Sequence, residues 1–169
     1  DWDPQADGFV RTMVVSADET VLYVGGNFRG FDNVPVEGEP GATGPLSVSY
    51  LAAFYCDPSN ARFGQGVIGW DPQANGAVET LCLVEVMGEG EGEGEGEGEG
   101  EGEGEGEPEP ENAYTLYAGG WFSRIGGADR RFIGAVDADS AIALPWNPFT
   151  NNPVYALAAD DTTVYAGGA

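Results

Sequence analysis

Three stretches of the chain open alike. Trp2-Asp3-Pro4-Gln5-Ala6-Asp7-Gly8, Trp70-Asp71-Pro72-Gln73-Ala74-Asn75-Gly76 and Trp146-Asn147-Pro148, running on to Asn151-Asn152, combine a large aromatic with a rigid turn. Each leads to an aromatic-apolar run closed by two glycines: Leu22-Tyr23-Val24-Gly25-Gly26, Leu116-Tyr117-Ala118-Gly119-Gly120 and Val164-Tyr165-Ala166-Gly167-Gly168. Trp146 to Gly167 spans 21 residues and Gly119 to Trp146 spans 27, so an uninterrupted repeat is 48 residues long. The units are 2–69, 70–145 and an incomplete 146–169.

Within a unit, alternating apolar residues and β-branched or aromatic content mark the strands. The first is Phe9–Ser16, Ala77–Val84 and Val154–Ala159, and the second ends on the glycine pair. The third is Tyr50–Tyr55 and Phe132–Asp137; a fourth runs into the next Trp through Gly66–Gly69 or Ala141–Leu144. No helical period competes, and 28 Gly with 11 Pro suit a turn-rich chain. The expected fold is all-β, a β-propeller fragment of four-stranded antiparallel blades, since four short strands fill a repeat of this length.

Ser16–Thr20 and Asp160–Thr163 read as tips between the first and second strands. In the second unit that tip holds a Glu-Gly run, residues 88–112, with 12 of the 17 Glu. Alternating Glu and Gly buries no apolar surface, repels itself and has much backbone entropy to lose. It is therefore expected to be a disordered loop insertion within the second unit, a repeat expansion tolerated at a loop tip, with cation buffering or partner repulsion as the alternative. Val36 to Val48, rich in Pro, Gly and Glu, reads as a surface loop.

Six Arg, no Lys, no His and 29 acidic residues give a net charge of −23, which disfavours nucleic acid and anionic membrane surfaces. Without His there is no His-based triad or His metal ligand, and without Lys no Schiff base or P-loop. No run of about 18 apolar residues suggests membrane insertion. Starting at Asp1 without a leader pattern, the sequence reads as an internal piece of a longer or processed chain.

The repeated Trp2, Trp70 and Trp146 are expected to pack between neighbouring blades. The pairs Gly25-Gly26, Gly119-Gly120 and Gly167-Gly168 mark backbone that takes a positive φ or approaches another strand closely. Cys56 and Cys82 replace small apolar residues in strands and read as buried free thiols, or as a disulfide in an oxidising compartment. Asp-rich turns at Asp1–Asp7, Asp137–Asp139 and Asp160–Asp161 read as turn caps in preference to calcium ligands. Trp121 breaks the repeat, because its equivalents are Asn27 and Ala169. Arg124, Arg130 and Arg131 follow it, so the four residues are a candidate patch for a sugar or carboxylate-bearing ligand; local pairing of the Arg residues with Asp129 and Asp137 is the plainer alternative. No catalytic residue, metal-ligand set or cofactor is assigned.

The Trp70-Asp71-Pro72 start, the run Tyr117-Ala118-Gly119-Gly120, then Phe122-Ser123, Ile125-Gly126-Gly127 and Arg130, and finally Phe132-Ile133-Gly134-Ala135-Val136-Asp137 together resemble the bacterial delta-sixty-type β-propeller repeat. The resemblance covers nearly the whole chain apart from the two insertions and is closest over residues 121–146, whereas the first unit departs after Phe31. The glycine pair is also similar to kelch repeats. Ala135-x-Asp137 with Ser140 and Trp146 is similar to the quinoprotein docking motif, with one residue more before the Trp. What the resemblance implies is a non-catalytic binding or structural scaffold in a secreted or cell-surface bacterial protein. The alternative is part of a quinoprotein-like or carbohydrate-active propeller enzyme whose catalytic residues lie outside this segment. Expected partners are an unidentified protein or carbohydrate ligand and, for the blade edges, further blades of the parent chain or self-association.

Overall fold

Short alternating runs punctuated by Gly, Pro and Asp form strands and no helix among the described residues. The computed structural model describes residues 2–39, 41–67, 69–86, 113–160 and 162–169; the Glu-Gly insertion, expected to be a disordered loop, lies outside them. The first unit contributes β1 (Phe9–Val15), β2 (Val21–Asn27), β3 (Phe31–Pro35), β4 (Thr43–Leu46) and β5 (Leu51–Tyr55). The second contributes β6 (Val78–Val86), β7 (Ala113–Gly120), β8 (Arg124–Ile125), β9 (Ala128–Asp129) and β10 (Ile133–Asp137), and the third β11 (Val154–Ala159) and β12 (Val164–Gly168). All pairing is antiparallel, in the orders β1-β2-β5, β6-β7-β10 and β11-β12. The first sheet packs on the second through β1 and β6, and the second on the third through β6 and β11.

Two expectations are corrected. The principal sheets have three strands at most, because the fourth is reduced to single bridges, Phe54 to Gly66 and Val136 to Ala143. Pairing stops there since Gly69 turns at φ 74° and Pro145 has no N–H to donate. The segment from Val36 to Val48 is not a plain loop: β3 pairs with β4 through Phe31–Leu46, Val34–Gly44 and Pro35–Thr43. The second unit carries the same device in miniature as β8–β9.

Strand alternation sends successive side chains to opposite faces. On the first sheet, Tyr23, Leu51 and Ala53 face the second unit, where they join Trp70, Val78, Leu81 and Leu116 in one core. Val24, Ala52 and Phe54 face the other way, against Phe28, Phe31, Val34 and Trp2.

One joint occurs twice. The Tyr23 and Trp70 rings lie 5.3 Å apart between units one and two, as Tyr117 and Trp146 lie 5.0 Å apart between units two and three. Each first strand has a bulge at one position, at Arg11, Glu79 or Tyr155. Beyond the bulge, the Leu81 N–H donates to Thr12 Oγ1 at 3.2 Å, and the Leu157 N–H to Thr80 Oγ1 at 3.2 Å.

The glycine pair divides its duties. A Cβ on Gly25 would come within 2.7 Å of Val78 Cγ1, and one on Gly119 within 2.8 Å of Val154 Cγ1, so the first glycine admits the next unit's valine. Gly26, Gly120 and Gly168 instead lie against the Phe9, Ala77 and Pro153 carbonyls, at or just before the start of their own first strands. None of the six has a positive φ; close approach is the requirement at five of them, whereas a Cβ on Gly167 would meet only the Ala156 Cβ at 3.8 Å.

Candidate functional site

The residues singled out beside the second glycine pair do not converge on one point. Trp121 is 55% exposed, with its ring 6.3 Å from that of Tyr155 on β11. Arg124 Nε lies 3.8 Å from Asp129 Oδ1 across the β8–β9 hairpin, an exposed ion pair worth little stability. Arg130 and Arg131 follow that hairpin and line a cleft of about 490 Å³ with Ser123, Asp129, Asn147 and Phe149.

The backbone fixes this cleft tightly. Gly126 and Gly127 turn the hairpin at φ 60° and 77°, and Phe132 at φ 65° swings the chain into β10. The Arg130 N–H donates to the Ser123 carbonyl at 3.0 Å, while Asn75 Oδ1 accepts from the Ser123 and Arg124 N–H groups, both at 2.9 Å. Gly134 leaves room for the Arg130 stem: a Cβ there would stand 3.1 Å from Arg130 Cβ. Thr150 Oγ1 donates to the Arg131 carbonyl at 3.1 Å, tying the third unit's opening turn to the cleft wall.

The charges are unevenly met. Arg130 donates from its two Nη atoms to the Asp129 and Leu144 carbonyls, at 3.0 and 2.7 Å, and its buried Nε has no hydrogen-bond partner. Arg131 lies over the Phe132 ring, 5.4 Å from its centroid. Neither has a carboxylate at ion-pair distance among the described residues, so the pairing expected with Asp129 is made by Arg124 alone.

Asn147 and Phe149, which line the cleft, carry no sequence motif of their own. Their signal is departure from the repeat: where the third unit has Trp146-Asn147-Pro148-Phe149, the others have Trp-Asp-Pro-Gln.

Elsewhere, carboxylates cap turns. Asp137 Oδ1 accepts from the Ser140 N–H at 2.7 Å, Asp7 Oδ1 from the Arg29 and Gly30 N–H groups, and Asp160 Oδ1 from those of Thr162 and Thr163. No group of three His, Cys, Asp or Glu among the described residues is placed to hold a metal ion. Cys56 and Cys82 are free thiols and only half-buried. Cys56 lies just past β5 and donates to the Glu19 carbonyl at 3.2 Å, and burial followed by the Asp18 charge pushes its thiol pKa up, away from a reactive thiolate. No family model, curated protein or solved structure matches this chain.

Proposed function

We propose that the chain is a run of successive blades from a β-propeller, serving as a non-catalytic binding or structural scaffold in a secreted or cell-surface bacterial protein. The observation that carries the architectural part is the joint made twice with equivalent residues: Tyr23 with Trp70, Tyr117 with Trp146, and a Thr hydroxyl accepting from the next unit's Leu N–H. A contact that repeats with the sequence is the kind that radial repetition extends. Extracellular placement is supported by the delta-sixty-type sequence pattern. The scaffold reading is supported by free cysteines away from any paired base and by carboxylates occupied in capping turns.

Electron microscopy of the assembled protein tests the architecture: blades arranged around an axis support it, and a closed two-sheet sandwich overturns it. A glycan and peptide array tests the role. Selective retention without turnover is expected, and catalytic conversion of any arrayed compound would overturn the non-catalytic part.

A further inference from the structure

The two joints of this chain provide an internal comparison. Tyr50 and Phe132 are equivalent, both at positive φ, with their N–H groups donating to the Phe28 and Phe122 carbonyls. By that alignment Val48 and Ser49 stand where Arg130 and Arg131 stand, and the opening turns place Asp71 opposite Asn147 and Gln73 opposite Phe149. Both joints have a cleft at this place. The first, of about 370 Å³, includes Val48, Trp70 and Asp71 in its lining. The second has exchanged the valine for a guanidinium, added a second guanidinium, and replaced the carboxylate with an amide.

By the same register Asp129 stands where the first cleft has Ser47, and its carboxylate lies against Arg124 across the hairpin; the other changes point one way. Asp71 Oδ1 accepts from the Gln73 N–H at 2.8 Å, and Asp3 Oδ1 from that of Gln5 at 3.3 Å, so an acidic residue suits this turn. Asn147 forgoes the charge beside the two Arg residues. In a chain of net charge −23, Arg130 and Arg131 line this cleft with no carboxylate at ion-pair distance among the described residues, while Asp129 at its edge is drawn to Arg124. Phe149 is 82% exposed and held at φ 53°, a conformation uncommon for a bulky residue, where the other units carry Gln. An aromatic face, two guanidiniums and an amide lining one cleft suit an oxyanion attached to a flat apolar group.

We infer that the cleft bounded by Ser123, Asp129, Arg130, Arg131, Asn147 and Phe149, with Asp129 held toward Arg124, binds a carboxylate-bearing ligand with a flat apolar face, such as an aryl carboxylate or a uronic acid. Arg130 and Arg131 take the carboxylate, Asn147 and Ser123 supply neutral hydrogen bonds, and Phe149 covers the flat face. The inference deepens the binding part of the proposed function and is independent of ring closure.

The test is titration of the full chain with sodium benzoate and sodium glucuronate, followed by calorimetry and by amide NMR shifts, with methyl benzoate as the uncharged control. Saturable binding of at least one carboxylate, absent for the ester, is expected. Asn147→Asp and Phe149→Gln restore residues the same turn carries elsewhere in the chain, so the fold should tolerate both. Asn147→Asp should weaken binding about tenfold or more through like-charge repulsion, and Arg131→Gln should weaken it in the same direction. Loss on Phe149→Gln for benzoate alone assigns the aryl class; equal loss for both probes assigns the shared carboxylate with a flat face. No saturable binding of either carboxylate, tighter binding of inorganic phosphate, or an Asn147→Asp variant that binds as wild type overturns the inference. Ring-like particles seen by microscopy together with failed titrations would sink this site and leave the scaffold reading intact.

Discussion

Trp70 donates its indole N–H to the carbonyl of Ala138 at 2.7 Å, and the Tyr23 hydroxyl of the preceding unit donates to the same oxygen at 3.2 Å. One carbonyl of the second unit is thus held by donors from both sides of the joint. Trp70 is buried against Tyr23, and desolvation, assisted by Asp139, pushes the Tyr23 phenol well above its ordinary range, so it remains a donor. Trp70→Ala is expected to cost about 3–5 kcal/mol, as other large-aromatic truncations in cores do. Trp70→Phe should cost only about 1 kcal/mol, because the ring remains and Tyr23 still satisfies the carbonyl. Urea midpoints check both; equal losses would show that the shared carbonyl, not ring packing, governs the joint.

The first glycine of each pair should be sensitive only where a following unit packs on it. Gly25→Ala and Gly119→Ala place a methyl within 2.8 Å of valine and threonine methyl carbons, an overpacking expected to cost about 1–3 kcal/mol. Gly167→Ala meets nothing nearer than the Ala156 Cβ at 3.8 Å and should be neutral or slightly stabilising. Thermal unfolding of the three variants in parallel decides it.

Acid sensitivity should divide between two aspartates. Hydrogen bonds from the Ser16 and Thr20 hydroxyls hold Asp18 below its ordinary 3.8, so its contribution is present above that value and is lost as pH falls through the depressed one. Asp139 is shifted the opposite way, by partial burial and then by the nearby Asp137 and Asp18 charges. Its contribution is fully present below 3.8 and declines as pH rises through the raised value. Asp18→Asn should therefore lower the melting temperature at pH 7 and have less effect near pH 2. Asp139→Asn should raise it at pH 7, with the gain shrinking toward pH 3. A gain for Asp139→Asn that persists unchanged in acid would contradict the charge argument.

What could be read from sequence depended on whether a residue serves the backbone or a neighbour. Trp70 and the glycine pairs were legible because each meets a steric demand that recurs at both joints, Gly25 and Gly119 against the next valine and Trp70 and Trp146 against a tyrosine. The β3–β4 hairpin was not, since Pro35, Gly41 and Pro45 look like loop residues and only the buried Phe31 and Val34 betray the strand. Trp121 was flagged as a departure from the repeat and stands apart from the cleft; Asn147 and Phe149, departures of the same kind, line it. A repeat column shows that a side chain has changed, whereas the backbone turn decides which surface it reaches.

The outer faces of the array yield the final prediction. Val78 and Val154 are 0% and 3% exposed because each packs on the first glycine of the unit before it, whereas their equivalent Val10 is 41% exposed. Val10 and Met13, the equivalents of Val78 and Leu81, would then be the leading half of a joint, with Tyr165, 58% exposed, and Gly167 as its trailing half. Such surfaces are complementary but not self-identical, so the expected contact is head to tail and grows with concentration. Two parts are missing: third-strand residues such as Leu51 and Ala53 of the first joint, and the hydroxyl acceptor, since Ala156 stands where Thr12 and Thr80 provide it. The isolated chain should therefore associate reversibly at micromolar concentration, weakly at low salt where a net charge of −23 repels, and more strongly at about 0.15 M, where screening acts over ~8 Å. Ala156→Thr should strengthen association, and Val10→Asp with Met13→Glu should abolish it while leaving the β-sheet circular dichroism unchanged. Sedimentation velocity reads all three, and a single monomeric species for wild type and Ala156→Thr alike would show that these two faces do not form a joint.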